Sequence, residues 1–533
     1  NMGDVLEEGD RIYGDGVNVA ARMEGLADAG EICISGTVYD AIESKTGLEY
    51  EFLGEHEVKN IDKPIRAYKV LSFPGAAAHR VVKAKRTVGR TWRNALIAMT
   101  ALLILGAAAG VWHFYLRPPS MEPASVEKMA FPLPDKPSIA VLPFVNISKK
   151  PDHEYLCDGI TEDIITALSK IPRLMVIART SSYAYKEKPV TIARVSEDLG
   201  VQYVLEGSLR RLGDQIRITA QLIDAIKGHH IWAETYDHDI SNFFEVEEEL
   251  VLNILTALQV HLTEGDQARV WREEAKDIKA YLKNQEALEN FRKFTKGGTF
   301  RSRELAREAI EIDPDYVSAY RMLAWTYWMG ARFRFDESPS DSIERAVSLT
   351  QKVLSMDEDD SLSYYLLAGI HLAQRKHDKS IEAIQKAHRL SPNNADILAY
   401  KALVFNYSGI PTEALAAVKN AMRLNPHYTG WYEAVLGVSY QLLREYDSSL
   451  EAFKNWKNRM PDSYLPYARM AIVYNLLGRK KEAQTLVEKV MGMNPQFSID
   501  LWKRSQLYRD DKHAELENNA LRELGLPDKP KPL

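Results

Sequence analysis

Apolar and polar positions follow three different rhythms along this 533-residue chain. Residues 94–116, NALIAMTALLILGAAAGVWHFYL, carry no charge over 23 positions. A helix of that length is about 34 Å long, enough to cross a hydrocarbon core of about 30 Å, so the run predicts a single membrane-spanning helix. From about residue 280 the apolar positions keep a helical period, punctuated at Pro314, Glu358, Pro392, Pro426, Pro461 and Pro495. The intervals of 44, 34, 34, 35 and 34 residues predict stacked helix pairs, with about ten extra residues in the first interval near RFRFDESPSD, 332–341. Between these regions the rhythm shifts to short β-branched runs. SIAVLPFVNIS and LMVIART read as strands, and Ile160, Ile164, Ile165 and Leu168 share one helical face. TIARVSEDLG reads as a short helix closed by Gly200. YVLEGSLRRLGDQIRITAQLIDA reads as two strands around a Leu212-Gly213-Asp214 turn, and HIWAETYDH as a further strand. The order predicts an α/β domain over about 137–262.

Charge orients the span. Arg80, Lys83, Lys85, Arg86, Arg90 and Arg93 precede it, while Arg117 and Lys128 alone follow closely. The positive-inside rule then places residues 1–93 in the cytoplasm and 117–533 outside it, with single-pass insertion in a bacterial inner membrane. Residues 72–93 are expected as a basic juxtamembrane linker, 117–136, with five prolines, as an extended linker, and 511–533 as a C-terminal tail. Gly106 and Gly110 form G-x-x-x-G within the span, a spacing that lets two helices approach closely and agrees with a homodimer. A net charge of −6 argues against general nucleic-acid binding, and the two cysteines, Cys33 and Cys157, give no disulfide framework. His229-His230 sit side by side on a strand and point to opposite faces, so they do not read as a metal pair. His371, His377 and His388 are scattered rather than clustered.

Small residues recur in the helix pairs. Ala346, Ala414 and Ala483 lie twelve residues before the punctuation, Ala309, Ala387 and Ala421 five before it, and Gly369 and Gly437 eleven after it. With the period, these positions make residues 280–510 resemble tetratricopeptide repeats, an all-α superhelix whose usual role is to bind a protein or peptide partner. The phrases IAVLPF, YVLEGSLRR and ITAQLIDA make residues 137–262 resemble the TolB amino-terminal-like or FlgO-like domain of bacterial envelope proteins, which implies an interaction role.

Chemistry is expected in the first 71 residues. The run IYGDGVNVAARME, followed by EFLGEHEVKNIDKPIRAYKVL, resembles the C-terminal part of a class III adenylate/guanylate cyclase catalytic domain, an α+β fold. Gly14-Asp15-Gly16 is expected to form a tight turn, with a helix from about Val17 that carries Asn18 and Arg22 four residues apart on one face. Cyclisation needs a donor that orients the ribose and a cation against the charge that develops on the α-phosphate. By the resemblance, Asn18 takes the first role, Arg22 the second, and Lys59 meets the triphosphate. Arg11 stands at the base-selecting position, where the family carries Asp, so the choice between ATP and GTP stays open, with ATP expected first. The family's two metal-binding aspartates lie upstream of GDV. Mg2+ or Mn2+ is therefore expected for the complete enzyme, with no ligands in this chain, and the chain alone is expected to be inactive.

The resemblances imply a multidomain protein: a membrane-anchored cyclase with extracytoplasmic sensor or interaction domains. The alternative is a non-catalytic envelope scaffold with a degenerate cyclase anchor. A third arrangement, similar tails behind a winged-helix DNA-binding domain, is opposed by the acidic first segment and its lack of a basic recognition helix.

Overall fold

The computed structural model describes residues 6–8, 11–13, 15–27, 31–57, 64–71, 121–148, 150–260 and 275–530. The expected membrane span at 94–116 and its basic flank lie outside these residues. Among the described residues no helix is long and apolar enough to cross a membrane. The chain divides into two units, residues 1–117 and 118–533.

In the first unit, β1 (Leu6–Glu8) pairs antiparallel with β2 (Arg11–Tyr13). Helix α1 (Asp15–Glu24) follows. It starts two residues earlier than the sequence reading placed it, because an Asp in the first turn is favoured by the helix dipole. Strands β3 (Cys33–Ser35), β4 (Tyr50–His56) and β5 (Ile65–Val70) form an antiparallel sheet in the order β3-β5-β4. Helix α2 (Gly36–Thr46) ends on Gly47 in the left-handed conformation. The α1 face at Val19 and Met23 packs against Ala67, Cys33, Leu53 and Ile65.

The second unit joins an α/β domain to a helical array. Its mixed sheet has the order β11 (His229–Asp239), β10 (Gln215–Asp224), β9 (Tyr203–Leu212), β6 (Ser138–Val141), β8 (Met175–Val176), with β7 (Val145–Asn146) pairing β9. β6 runs parallel to β8 and β9, and the β9–β10 hairpin turns at Gly213-Asp214. The helices are α3 (Pro151–Ser169), α4 (Arg179–Tyr183), α5 (Ile192–Leu199) and α6 (Phe243–Ala257). Gly200 closes α5 at φ 63°. Helix α6 is not among the elements read from the sequence. Residues 121–136 are not a free linker. Ala124 N–H donates to Ala225 O at 2.8 Å, Ala130 N–H donates to Glu197 O at 2.8 Å, and Ala124 is buried.

Among the described residues the array holds six helix pairs and a short seventh. They are α7 (Ile278–Arg292) with α8 (Lys296–Ile312), α9 (Val317–Arg332) with α10 (Pro339–Met356), and α11 (Ser361–Ala373) with α12 (His377–Leu390). Then come α13 (Ala395–Ser408) with α14 (Pro411–Leu424), α15 (Trp431–Leu442) with α16 (Tyr446–Arg459), and α17 (Leu465–Leu476) with α18 (Lys480–Met493). The last pair is α19 (Ile499–Lys503) with α20 (Asp511–Glu523). Each second helix of the full pairs ends two residues before the punctuation, and at the five prolines the missing N–H and the restriction on the preceding residue stop the helix from continuing. Ala309, Ala346, Ala387, Ala414, Ala421 and Ala483 are fully buried. A Cβ on Gly437 would stand 2.3 Å from the Phe453 ring, so glycine there sets how closely α15 and α16 approach. The extra residues of the first interval are shared between longer helices α9 and α10 and a short loop, rather than forming a loop alone. In that loop Asp336 accepts from Arg303 Nη1 at 3.0 Å and Nη2 at 2.9 Å. The expected C-terminal tail is ordered: Ala520 and Leu521 of α20 join the core of the last repeats.

The turn inside each full pair puts one residue in the left-handed region: Phe294, Arg334, Arg375, Gly409, Arg444 and Gly478, with φ between 50° and 83°. A side chain there costs about 1–2 kcal/mol, which glycine avoids. No neighbouring atom lies within 4 Å of a Cβ built on Gly478. Gly478→Ala should therefore lower the stability of the full chain by about 1 kcal/mol, and Arg444→Gly should raise it by a similar or smaller amount. Thermal unfolding of the two variants checks the opposite signs.

Candidate functional site

Asn18 and Arg22 fall on successive turns of α1, four residues apart on one helix as the sequence implies. They precede by one residue the buried pair Val19 and Met23 that anchors the helix on the sheet. The anchoring fixes the helix, and so the direction in which its neighbouring positions point. Arg11 opens β2, opposite Glu8 in the hairpin register. Lys59 lies outside the described residues. Two other cations of the closing strand are already engaged: Arg66 pairs with Asp40 at 2.6 Å and Lys69 with Glu31 at 2.5 Å. The backbone brings Asn18 and Arg22 together, and the adjacent hairpin carries Arg11. Among the described residues no group of three or more His, Cys, Asp or Glu side chains could hold a metal ion.

The second unit has a polar cluster that the sequence reading did not find. Glu162 of α3 accepts from Arg292 Nη2 of the first repeat at 2.5 and 2.6 Å and lies 3.2 Å from Arg179 Nε. The Arg179 guanidinium stacks 3.6 Å above the Tyr183 ring. Beside it, the buried Tyr281 hydroxyl donates to Asp163 at 2.5 Å. Tyr281 reaches this place because α3 carries Gly159, where a Cβ would stand 2.1 Å from its hydroxyl. At the far side, Arg423 of the fourth pair donates to the carbonyls of Leu199 at 3.0 Å, Gly200 at 2.7 Å and Pro132 at 3.2 Å. Burial lowers its pKa to about 10. Glu162, Asp163, Tyr281, Arg292 and Arg423 make the hydrogen bonds that bind the α/β domain to the repeats, whereas Arg179 Nε makes none and meets Glu162 as an ion pair. They perform no evident chemistry. The bonds from the repeats to the α/β domain join residues 118 and more apart in the chain, so no local signal announces them.

The comparisons follow the same divisions. Residues 8–72 match the family model described as adenylate and guanylate cyclase catalytic domain. Residues 362–394 match a tetratricopeptide repeat model. Residues 135–254, where the sequence suggested a TolB-like domain, match the second domain of HilA/YgeH-like transcriptional regulators. A curated relative from Rhizobium meliloti (strain 1021), "Putative adenylate cyclase 3", is 34% identical over 387 residues. That match covers 72% of this chain, and the chain spans 58% of the relative's length. Among solved structures, the TPR protein YrrB is 18% identical over 36% of this chain and 92% of its own, with a TM-score of 0.28. Pseudomonas aeruginosa PilF is 16% identical over 42% and 94%, with a TM-score of 0.33.

Burial pushes the Glu162 carboxyl up, but Arg292 and Arg179 more than offset this, leaving it below the ordinary glutamate range. A lowered folded-state pKa contributes stability that is complete above the unfolded value and is lost as pH falls through the folded one. Acid should therefore loosen the clamp between the α/β domain and the first repeat. Glu162→Gln should lower thermal stability at neutral pH and flatten its dependence on pH below the ordinary glutamate range, as read by melting from pH 3 to 7. The chain combines a segment matching a nucleotide cyclase catalytic domain with an α/β domain clamped to tetratricopeptide repeats.

Proposed function

We propose that the chain belongs to a membrane-anchored class III nucleotide cyclase that forms cyclic AMP and pyrophosphate from ATP. The observation that carries this reading is the cyclase match over residues 8–72, with Asn18 and Arg22 four apart on α1, a helix seated on its sheet by Val19 and Met23. The cyclase relative supports it. In the reaction the ribose 3′-oxygen attacks the α-phosphorus, the bond to the bridging oxygen breaks, and pyrophosphate leaves. Asn18 orients the ribose. Arg22 opposes the charge that grows on the phosphate oxygens, a task suited to a guanidinium because its fork stays charged and bonds two oxygens. Lys59 contacts the triphosphate, and Arg11 borders the base. The family resemblance calls for Mg2+ or Mn2+ on the triphosphate, and the described residues offer no group of three or more His, Cys, Asp or Glu side chains that fits one. The catalytic site forms between two copies of the protein.

In this reading residues 94–116 cross the membrane, and the α/β domain and repeats lie outside the cytoplasm as a sensor that recognises a protein or peptide. The match of residues 135–254 to part of a transcriptional regulator supports a regulatory role for the α/β domain.

Two measurements test this. In protein that carries the whole catalytic domain, Arg22→Ala should lower cyclic nucleotide production on the order of 10²-fold while changing nucleotide affinity little, because its charge acts mainly on the transition state. A wild-type protein that is folded and dimeric yet inactive towards both ATP and GTP would exclude the enzyme reading and favour the scaffold. For topology, a reporter active only in the periplasm, fused after Leu533, should give signal, and a cytoplasmic reporter at the same place should not. The reverse would remove the extracytoplasmic sensor from the reading.

A further inference from the structure

The second helices of the first two pairs gather cations around one phenol. Tyr327 of α9 is 7% exposed, and its ring is flanked by the guanidinium of Arg303 of α8 at 4.2 Å and that of Arg345 of α10 at 5.5 Å. Arg307, one turn after Arg303, donates to the Tyr327 hydroxyl at 2.7 Å, and Arg345 Nη1 donates to the same oxygen at 3.2 Å. Guanidinium groups from two different helices therefore meet on a single atom, and the two donor nitrogens are no farther apart than the sum of those distances.

The three cations are unequally neutralised. Arg303 is paired with Asp336 through both terminal nitrogens and also donates to Thr326 O. Arg307 and Arg345 are exposed, and among the described residues neither makes an ion pair; Glu311 and Asp341, one turn away on the same helices, do not close on them. Burial pushes the Tyr327 phenol up, but Arg345, Arg307 and Arg303 outweigh it and leave it below the ordinary tyrosine range. Since both guanidiniums donate to its oxygen, the Tyr327 O–H turns its own hydrogen elsewhere, and among the described residues it donates to no atom. Each guanidinium carries five N–H donors, so most of those on Arg307 and Arg345 are left for another acceptor.

We propose that Arg307, Arg345 and Tyr327 form a binding site for a small, doubly charged oxyanion of the phosphate type. A tetrahedral oxyanion bridges two guanidinium forks that already converge, and it brings two negative charges to two cations that lack a carboxylate. The phenol hydrogen supplies a third donor. A carboxylate would bring one charge for the two. Free phosphate and a phosphoryl group carried on a side chain share this chemistry. The site lies within the repeats and its occupancy is read without cyclase activity, so its failure would leave the catalytic reading untouched.

The test uses the full chain in about 0.15 M sodium chloride, where attraction between exposed charges is screened beyond about 8 Å. The probes are inorganic phosphate, N-acetyl-phosphoserine amide and acetate. Calorimetry reads binding, and circular dichroism melting reads the fold. Phosphate should bind saturably and about tenfold or more tighter than acetate. Arg307→Gln and Arg345→Gln, both exposed changes that spare the core, should each weaken phosphate about tenfold, and Tyr327→Phe, which keeps the ring, about threefold. Arg22→Ala should leave phosphate binding as it is, which separates this site from the triphosphate contacts expected in the first unit. Tighter binding of N-acetyl-phosphoserine amide would assign a phosphorylated side chain, tighter binding of inorganic phosphate a free anion, and both uphold the site. Equal affinity for phosphate and acetate, a phosphate affinity unchanged in either arginine variant, loss of binding in Arg22→Ala instead, or no saturation by phosphate at millimolar concentration would overturn it.

Discussion

The second unit depends on burying both faces of one sheet. Alternate residues of its central strands enter different cores. Ile139, Val141 and Leu205 pack with α3 and reach Tyr281, Tyr316 and Ala319 of the first repeats. Ala140 and Val204 pack with α5 and reach Ala395, Leu398, Leu424 and Tyr432 of the fourth and fifth pairs. Side chains alternate across a strand, so a parallel strand covered on both sides is apolar over its middle, as Ile139, Ala140 and Val141 of β6 are, while Ser138 at its start accepts from Gln202 N–H. The repeats supply part of the cover on each side. The α/β domain is therefore built into the array rather than tethered to it.

This arrangement changes what the repeats can do. Surface that a free array would offer to a partner is taken up by the chain's own domain between the first and fifth pairs. The clamps at Glu162 and Arg423 are half-buried polar contacts, in which desolvation offsets part of the attraction. They set where the domain sits. A signal that altered the domain's packing would therefore be transmitted to the repeats through shared cores, and binding in the array would bias the domain in return.

In the first unit the same logic works on a smaller scale. Val19 and Met23 hold α1 to the sheet, and the positions one residue earlier are the ones that the cyclase resemblance makes chemical. An amphipathic helix with a fixed buried face sets the angle at which its other positions leave the helix.

Much of this was legible in the chain. The 34-residue spacing located the helix pairs because proline cannot continue a helix and because alanine or glycine is needed where two helices meet. Gly200 closing α5 and the β9–β10 hairpin were equally plain, since both rest on local backbone preference. The motif around Asn18 and Arg22 was legible for the same reason, being contiguous. Other features were settled by the tertiary structure alone. Residues 121–136 look like a linker by composition but are pinned to Ala225 and Glu197, and α20 looks like a tail but closes the final repeats. The pairings of Glu162 with Arg292 and of Arg423 with the carbonyls of Leu199 and Gly200 also arise there. Each joins residues far apart in sequence, and hydrophobic period and turn chemistry, which act over a few residues, carry no information about which distant surfaces will meet.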